Sequence, residues 1–150
     1  MLTASLDTPV GTLSLCEQDG AITRLEWSDS STGRSALLDT ALAQLRAYFA
    51  KELTVFDLPL WVQGSDFQRA VCDAMLAIPL GETRTYGDIA RDLGAAAQPV
   101  GNACGSNPIP VIIPCHRVLA ANGLGGFSGA GGVETKVSLL KHEGAAGLLI

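Results

Sequence analysis

Apolar and polar positions alternate near the start of the chain and then change period. Leu13 and Leu15 alternate with Thr12, Ser14 and Cys16, Asp19-Gly20 is a turn pair, and Ala21 to Trp27 sets Leu25 and Trp27 on one face. Side chains on a strand point to opposite faces in turn, so this pattern predicts a β-hairpin. Ser28 to Ser35 is polar and reads as a loop. Leu38, Leu42, Leu45 and Phe49 then recur at helical spacing and predict a helix near 36–51. Residues 52–64 contain Pro59 and Gly64 and read as an extended connection, so a small first domain is expected over 1–64.

The second part, 65–150, has helical periods. Ser65 and Gln68 have capping-box spacing, and Phe67, Ala70, Val71, Ala74, Met75 and Ile78 fall on one helical face. Pro79 to Glu82 is a turn. Thr85, with Asp88 three residues on, predicts the cap of a short helix over 86–93 that ends at Gly94. Its inner face is Tyr86, Ile89, Ala90 and Leu93. Ala95 to Ala97 is a short turn, and Gln98 precedes Pro99, a favoured first helical residue, so a helix of small residues is expected near 99–105. Two short helices across a tight turn form a helix-turn-helix candidate, although ordinary helical hairpins share the pattern. Ile109 to Pro114 is a short apolar extended run, residues 122–132 are glycine-rich, and Val133, Val137 and Leu140 predict a last helix near 133–142. The expected class is α/β: a small N-terminal sheet-plus-helix domain, then a mainly helical domain with a helix-turn-helix.

Composition narrows this picture only slightly. With 150 residues and 47% hydrophobic content, the chain can bury a core without disulfide or metal staples. The longest apolar run, Pro110 to Pro114, is far too short to span a bilayer, and the N-terminus lacks the basic flank and apolar stretch of a secretion leader. No membrane association and a cytoplasmic location are therefore expected. The net charge of −5 does not point to nucleic acid. The excess lies in 1–64, with four basic and eight acidic side chains, whereas 65–150 holds six and seven.

Four cysteines (Cys16, Cys72, Cys104 and Cys115) are scattered without a Cys-x-x-Cys pair, which argues against a disulfide framework. Cys115-His116 has no second ligand pair, which argues against zinc. Cys115 follows Pro114, where a strand must stop because proline has no N–H. His116 and Arg117 supply a base and a positive charge, the surroundings that activate a thiol. Neighbouring side chains on a strand point apart, so Cys115 and His116 can cooperate only at a turn. On these grounds Cys115 reads equally well as a nucleophile or as a buried apolar residue.

The segment Asn107-Pro108-Ile109-Pro110-Val111-Ile112-Ile113-Pro114-Cys115-His116-Arg117-Val118 resembles the active-site signature of the O6-alkylguanine-DNA alkyltransferases. The resemblance extends over Phe67-Gln68, Ile78-Pro79, Gly81 to Gly87, Val100-Gly101 and Leu139 to Glu143, nearly all of 65–150. It implies single-turnover transfer of an alkyl group from a flipped guanine of double-stranded DNA to Cys115, with no cofactor and a monomeric protein. It also implies roles. His116 deprotonates Cys115 through a water, Glu143 orients His116, Asn107 holds the turn, and Tyr86 hydrogen-bonds the base. Gln98, Gly101, Asn102, Ala103, Arg117, Val118, Phe127 and Ser128 would contact DNA or the base. The bland readings are a core role for Tyr86, a solvated charge for Glu143, an ordinary turn for Asn107 and tight helix packing for the small residues of 100–105.

Several positions depart from the family pattern. Gln98 stands where an arginine usually fills the gap left by the flipped base, which predicts weaker or slower repair. Phe127-Ser128-Gly129 lacks the usual tyrosine hydroxyl, and the loop up to Glu143 is about two residues longer, by resemblance rather than by a rule of spacing. Cys72 takes the place of a tryptophan, and the N-terminal zinc ligands of some relatives have no counterpart. Two other functions compete: a protein that recognises alkyl lesions with little transfer, and a cysteine hydrolase, which would turn over.

Overall fold

The computed structural model describes residues 1–145 and divides into two compact units, Met1–Gln63 and Gly64 onward. The first unit opens with β1 (Leu2–Thr8), β2 (Gly11–Gln18) and β3 (Ala21–Glu26), an antiparallel sheet in that order. Leu6 faces Leu13 and Ala4 faces Leu15 across β1 and β2, and Leu15 faces Leu25 across β2 and β3. The expected hairpin is thus the second half of a three-stranded meander. Strand β1 escaped the sequence pattern because the middle of its apolar face is Ala4, and alanine is depleted in strands.

Helix α1 (Ala36–Phe49) is capped by the Ser35 hydroxyl, which accepts from the Leu38 N–H at 3.0 Å. It buries Leu38, Ala41, Leu42, Leu45 and Tyr48 against β1 and β2. It ends two residues before the expected 51, where Lys51 turns left-handed (φ 62°). The connection after it runs beside β3, with Ile22 N–H donating to Pro59 O at 2.8 Å.

In the second unit, α2 (Asp66–Leu76) carries the expected apolar face, with Val71, Cys72 and Met75 buried. Its capping box is only half made. The Ser65 hydroxyl accepts from Gln68 N–H, but the Gln68 amide donates instead to Ala103 O at 2.8 Å. A tertiary partner has outcompeted the local one. Strand β4 (Arg84–Thr85) leads into α3 (Tyr86–Leu93), whose Thr85–Asp88 capping box is complete. Such a cap contributes about 1 kcal/mol. Gly94 ends α3 at φ 65°.

Helix α4 (Ala97–Gly105) starts two residues earlier than expected, so Pro99 is its third residue and Gln98 lies inside its first turn. Proline is tolerated anywhere in that turn, because its missing N–H would have had no helical partner. Helices α2, α3 and α4 pack on one another.

Ile109 to Pro114 is not an extended strand. Ile113 N–H reaches back to Ile109 O at 2.9 Å, and Val111 is left-handed at φ 73°. Cys115–Arg117 then form one turn of 3-10 helix, followed by β5 (Val118–Leu119). Strand β5 pairs parallel with β4, Arg84 with Val118 and Thr85 with Leu119, a pairing too short to leave a sequence pattern. Helix α5 (Val133–His142) closes the unit and buries Lys136, Leu139 and Leu140. Among the described residues no helix is long and apolar enough to cross a membrane.

Candidate active site

The nucleophile candidate sits on a turn held by strong local bonds. Val111 is β-branched and costly in the left-handed region, so its conformation must be imposed by its surroundings. Asn107 supplies much of that. Its side-chain N–H donates to Ile113 O at 2.8 Å and its Oδ1 accepts from Ile109 N–H at 3.0 Å, inside the core. The chain therefore doubles back and enters the 3-10 turn at Cys115. A turn also resolves the strand problem, since Cys115 and His116 no longer lie on opposite faces of a sheet.

Cys115 is 5% exposed and lines a cavity of about 320 Å³ with Tyr86, Gly101, Cys104, Gly105, Gly126, Phe127 and Ser128. That is the size range of a small-molecule pocket. Burial pushes the Cys115 thiol up, while a hydrogen bond from Asn107 and the charge of Lys136 pull it back down. Cys104, in the same cavity wall, is pushed up to about 12 by burial, and Cys72 beneath it to about 11. All four cysteines are free thiols.

Behind the thiol lies a buried charge network. His116 Nε2 meets Glu143 Oε2 at 2.7 Å, and both side chains are wholly buried. Arg117 grips the same carboxylate, Nε on Oε1 at 2.8 Å and Nη2 on Oε2 at 2.9 Å, and its Nη1 donates to Ile78 O at 2.7 Å. A buried carboxylate is tolerated when every lone pair is used in this way. Burial lowers the His116 pKa more than Glu143 raises it, so the ring is neutral. With an ionised acceptor at Nε2, that nitrogen carries the hydrogen and Nδ1 keeps the lone pair. Nδ1 is buried and has no hydrogen-bond partner among the described residues.

Tyr86 is the first residue of α3, and the β4–β5 pairing fixes that helix start beside the 3-10 turn. Its hydroxyl accepts from the Gly126 backbone N–H, which leaves its own proton to donate. Gly125 allows this approach. Its φ is 73°, and a Cβ there would lie 2.8 Å from the Tyr86 hydroxyl.

The structure thus brings Cys115, His116, Glu143, Asn107 and Tyr86 into one region. The residues expected to contact DNA or base divide. Gln98 and Asn102 are exposed on α4, Gly101 faces the cavity, and Phe127 and Ser128 line it. Ala103 is buried, and its carbonyl is taken by Gln68, so its side chain belongs to the packing of α2 on α4. Arg117 is buried on Glu143 rather than placed at a surface, because a carboxylate at zero exposure needs a countercharge. The Val118 side chain is also buried, and its carbonyl accepts from Lys136 Nζ at 2.7 Å. Lys136 itself was not anticipated. Nothing in its sequence setting separates it from a solvated helix lysine.

The second unit matches the family model described as 6-O-methylguanine DNA methyltransferase, DNA binding domain, over residues 66–145. The first matches the ribonuclease-like domain of the same proteins over residues 1–62. A methylated-DNA–protein-cysteine methyltransferase of Mycolicibacterium paratuberculosis is 44% identical, covering 93% of this chain and 90% of that protein. One from Methanosarcina acetivorans is 40% identical over 97% of this chain and 99% of that protein. The O6-methylguanine methyltransferase of Mycobacterium tuberculosis has a similar structure, with a TM-score of 0.84 at 39% identity over 99% of this chain and 96% of that one. Mycobacterium tuberculosis OGT in complex with DNA matches equally, with a TM-score of 0.84 at 44% identity over 95% of this chain and 92% of that one. With both units matched and relatives this close over almost its whole length, the chain belongs to the O6-methylguanine DNA methyltransferase family.

Proposed function

We propose that Cys115 is the alkyl acceptor of a one-use DNA-repair reaction, with His116 as its base and Glu143 as the group that orients that base. The protein repairs O6-alkylguanine by moving the alkyl group onto its own cysteine, and double-stranded DNA is its partner. The observation that carries this assignment is the His116 ring. It is neutral, held through Nε2 by Glu143, and keeps an unpartnered lone pair at Nδ1, one residue along the 3-10 turn from a thiol that opens on a cavity.

The chemistry follows from that arrangement. His116 Nδ1 takes the thiol proton, directly or through one water, and Glu143 stabilises the cation that forms. The sulfur attacks the alkyl carbon in line. The carbon–sulfur bond forms as the carbon–oxygen bond to O6 breaks, and that electron pair leaves with the guanine. The Tyr86 hydroxyl donates to the departing base and quenches its developing charge. The base reaches the cavity only by leaving the stack, which costs a few kcal/mol and less for a damaged pair. The exposed face of α4 is the surface offered to DNA, with Gln98 and Asn102 on it and Gly101 permitting close approach. Phe127 and Ser128 form the far wall for the base, and the backbone of Val118 has a second carbonyl lone pair for its edge. A thioether is a stable product, so each molecule acts once. Four free thiols suit a reducing compartment, so the protein is assigned to the cytoplasm.

The test is intact-protein mass after incubation with a duplex containing O6-methylguanine, beside Cys115→Ser. One added methyl, mapped to Cys115 and absent from the variant, is expected. Folded protein that binds the duplex but gains no mass would overturn the assignment and favour lesion recognition alone. Repeated turnover without protein alkylation would favour a hydrolase.

A further inference from the structure

Lys136 is the one lysine whose side chain the second unit buries completely, and the chemistry above does not use it. It lies four residues into α5, the helix whose end brings in Glu143. Its ammonium makes two bonds to carbonyls from different segments: Val118 O at 2.7 Å and Gly126 O at 3.0 Å. Val118 directly follows the turn that carries Cys115. Gly126 is in the cavity wall and donates its N–H to the Tyr86 hydroxyl. The ammonium also lies 6.0 Å from the centre of the Tyr86 ring. One side chain therefore joins the segment bearing the nucleophile to the loop whose Gly126 N–H holds the proton donor, Tyr86.

We infer that Lys136 is a positioning and electrostatic residue for alkyl transfer: it straps Val118 to Gly126 of the cavity wall and favours the Cys115 thiolate with its charge. The inference rests on Cys115 being the acceptor. Burying an ammonium without a carboxylate is costly, and among the described residues Lys136 has no acidic partner. The titratable groups around it are the Cys115 and Cys104 thiols, the Tyr86 hydroxyl and the His116 ring. Of these, only the thiols can become anions that its charge would favour near neutral pH. Cys104 is held up to about 12, and no neighbouring base is assigned to it. Cys115 is the thiol with His116 to accept its proton. Burial brings the Lys136 pKa down to about 8, so the ammonium is still present at neutral pH.

A purely structural strap and an electrostatic partner differ in what they do to the pH profile. Single-turnover methyl transfer from an O6-methylguanine duplex should be followed from acid to alkaline pH for the unmodified protein, Lys136→Met, Lys136→Gln and Lys136→Arg, with Cys115→Ser as the inactive control. Gln keeps donors for the two carbonyls without the charge, and gives the same comparison if Met does not fold. Arg keeps the charge in a poorer shape. Loss of the cation should move the rising limb of the profile up by about one pH unit or more, slowing transfer at neutral pH about tenfold. Arg should leave the midpoint in place, however slow the variant is. Duplex affinity should change little in all three, since the side chain is buried. An unshifted midpoint in a folded, slow Gln or Met variant would reduce Lys136 to a strap and overturn the electrostatic part. Wild-type rates in Gln or Met would overturn both parts, as would an Arg variant shifted as far as Gln. Failure of the unmodified protein to gain a methyl would instead sink the assignment of Cys115 itself.

Discussion

His116 Nε2 and Glu143 Oε2 lie 2.7 Å apart with neither side chain exposed to solvent, and Arg117 holds the same carboxylate from the other side. The contact sets the tautomer of the imidazole and the availability of its second nitrogen. Glu143→Gln removes the charge while nearly keeping the shape. Transfer should slow by roughly 10²- to 10⁴-fold, the range of a general base and its orienting group. The variant should also lose about 3 kcal/mol of stability, because the buried Arg117 guanidinium is left without a countercharge. Rapid-quench transfer assays and urea unfolding measure the two effects separately. An unchanged rate would remove Glu143 from the mechanism.

The same burial gives the protein an acid limit. His116 is held below its ordinary pKa by burial, so the unfolded chain takes up a proton there at a pH where the folded one does not. Stability from this residue is complete above about pH 6.5, the unfolded value, and falls as pH drops below it. Urea midpoints measured from pH 7.5 down to 5 should decrease, and the slope should shrink in His116→Gln. Transfer rate, by contrast, should show no inflection at about 6.5, because the folded base is still neutral there.

Asn107 closes two hydrogen bonds around the left-handed Val111. Asn107→Ala leaves Ile109 N–H without a partner in the core, at about 1–3 kcal/mol, and leaves Ile113 O with the Cys115 N–H alone. The variant should melt earlier and transfer more slowly even where it is folded, since Cys115 also loses its hydrogen bond from this amide. A variant with a wild-type rate at low temperature would confine Asn107 to stability.

Gly125 and Tyr86 should show non-additive effects. Gly125→Ala puts a methyl against the Tyr86 hydroxyl and leaves a non-glycine residue at φ 73°. The strained φ alone costs about 1–2 kcal/mol. Removing the hydroxyl in Tyr86→Phe should relieve the closest contact but neither the φ cost nor the approach to the ring carbons at 3.1 and 3.3 Å, so the double variant should be more stable than the sum of the single effects predicts. Thermal unfolding of the four proteins gives the coupling energy, and strict additivity would show that the Tyr86 ring moves aside freely.

Gln98 lies exposed in the first turn of α4 and carries no charge. In the reading adopted here it fills the gap left by the flipped base. Gln98→Arg should tighten duplex binding and speed transfer, with a steeper salt dependence, because an added phosphate or base contact releases counterions. Equal rates for the two proteins across salt concentrations would show that this position does not limit repair.

The sequence alone determined the features that depend on neighbours within a few residues. Helix periods, the Thr85–Asp88 capping box, the Gly94 stop and the Asn107–Val118 segment are all local, and the resemblance carried by that segment pointed to the family and to Cys115. Tertiary structure decided whatever depended on a distant partner. Gln68 left its own helix cap for Ala103 O, thirty-five residues away. Arg117 turned inward because Glu143, twenty-six residues on, needed a countercharge. Lys136 looked like any surface lysine until two carbonyls eighteen and ten residues away enclosed it. Ile109 to Pro114 read as a strand from its apolar composition, yet only buried hydrogen bonds could hold Val111 left-handed and turn the chain. The energy of a buried polar group is set by what it meets in space, and a linear pattern does not record that.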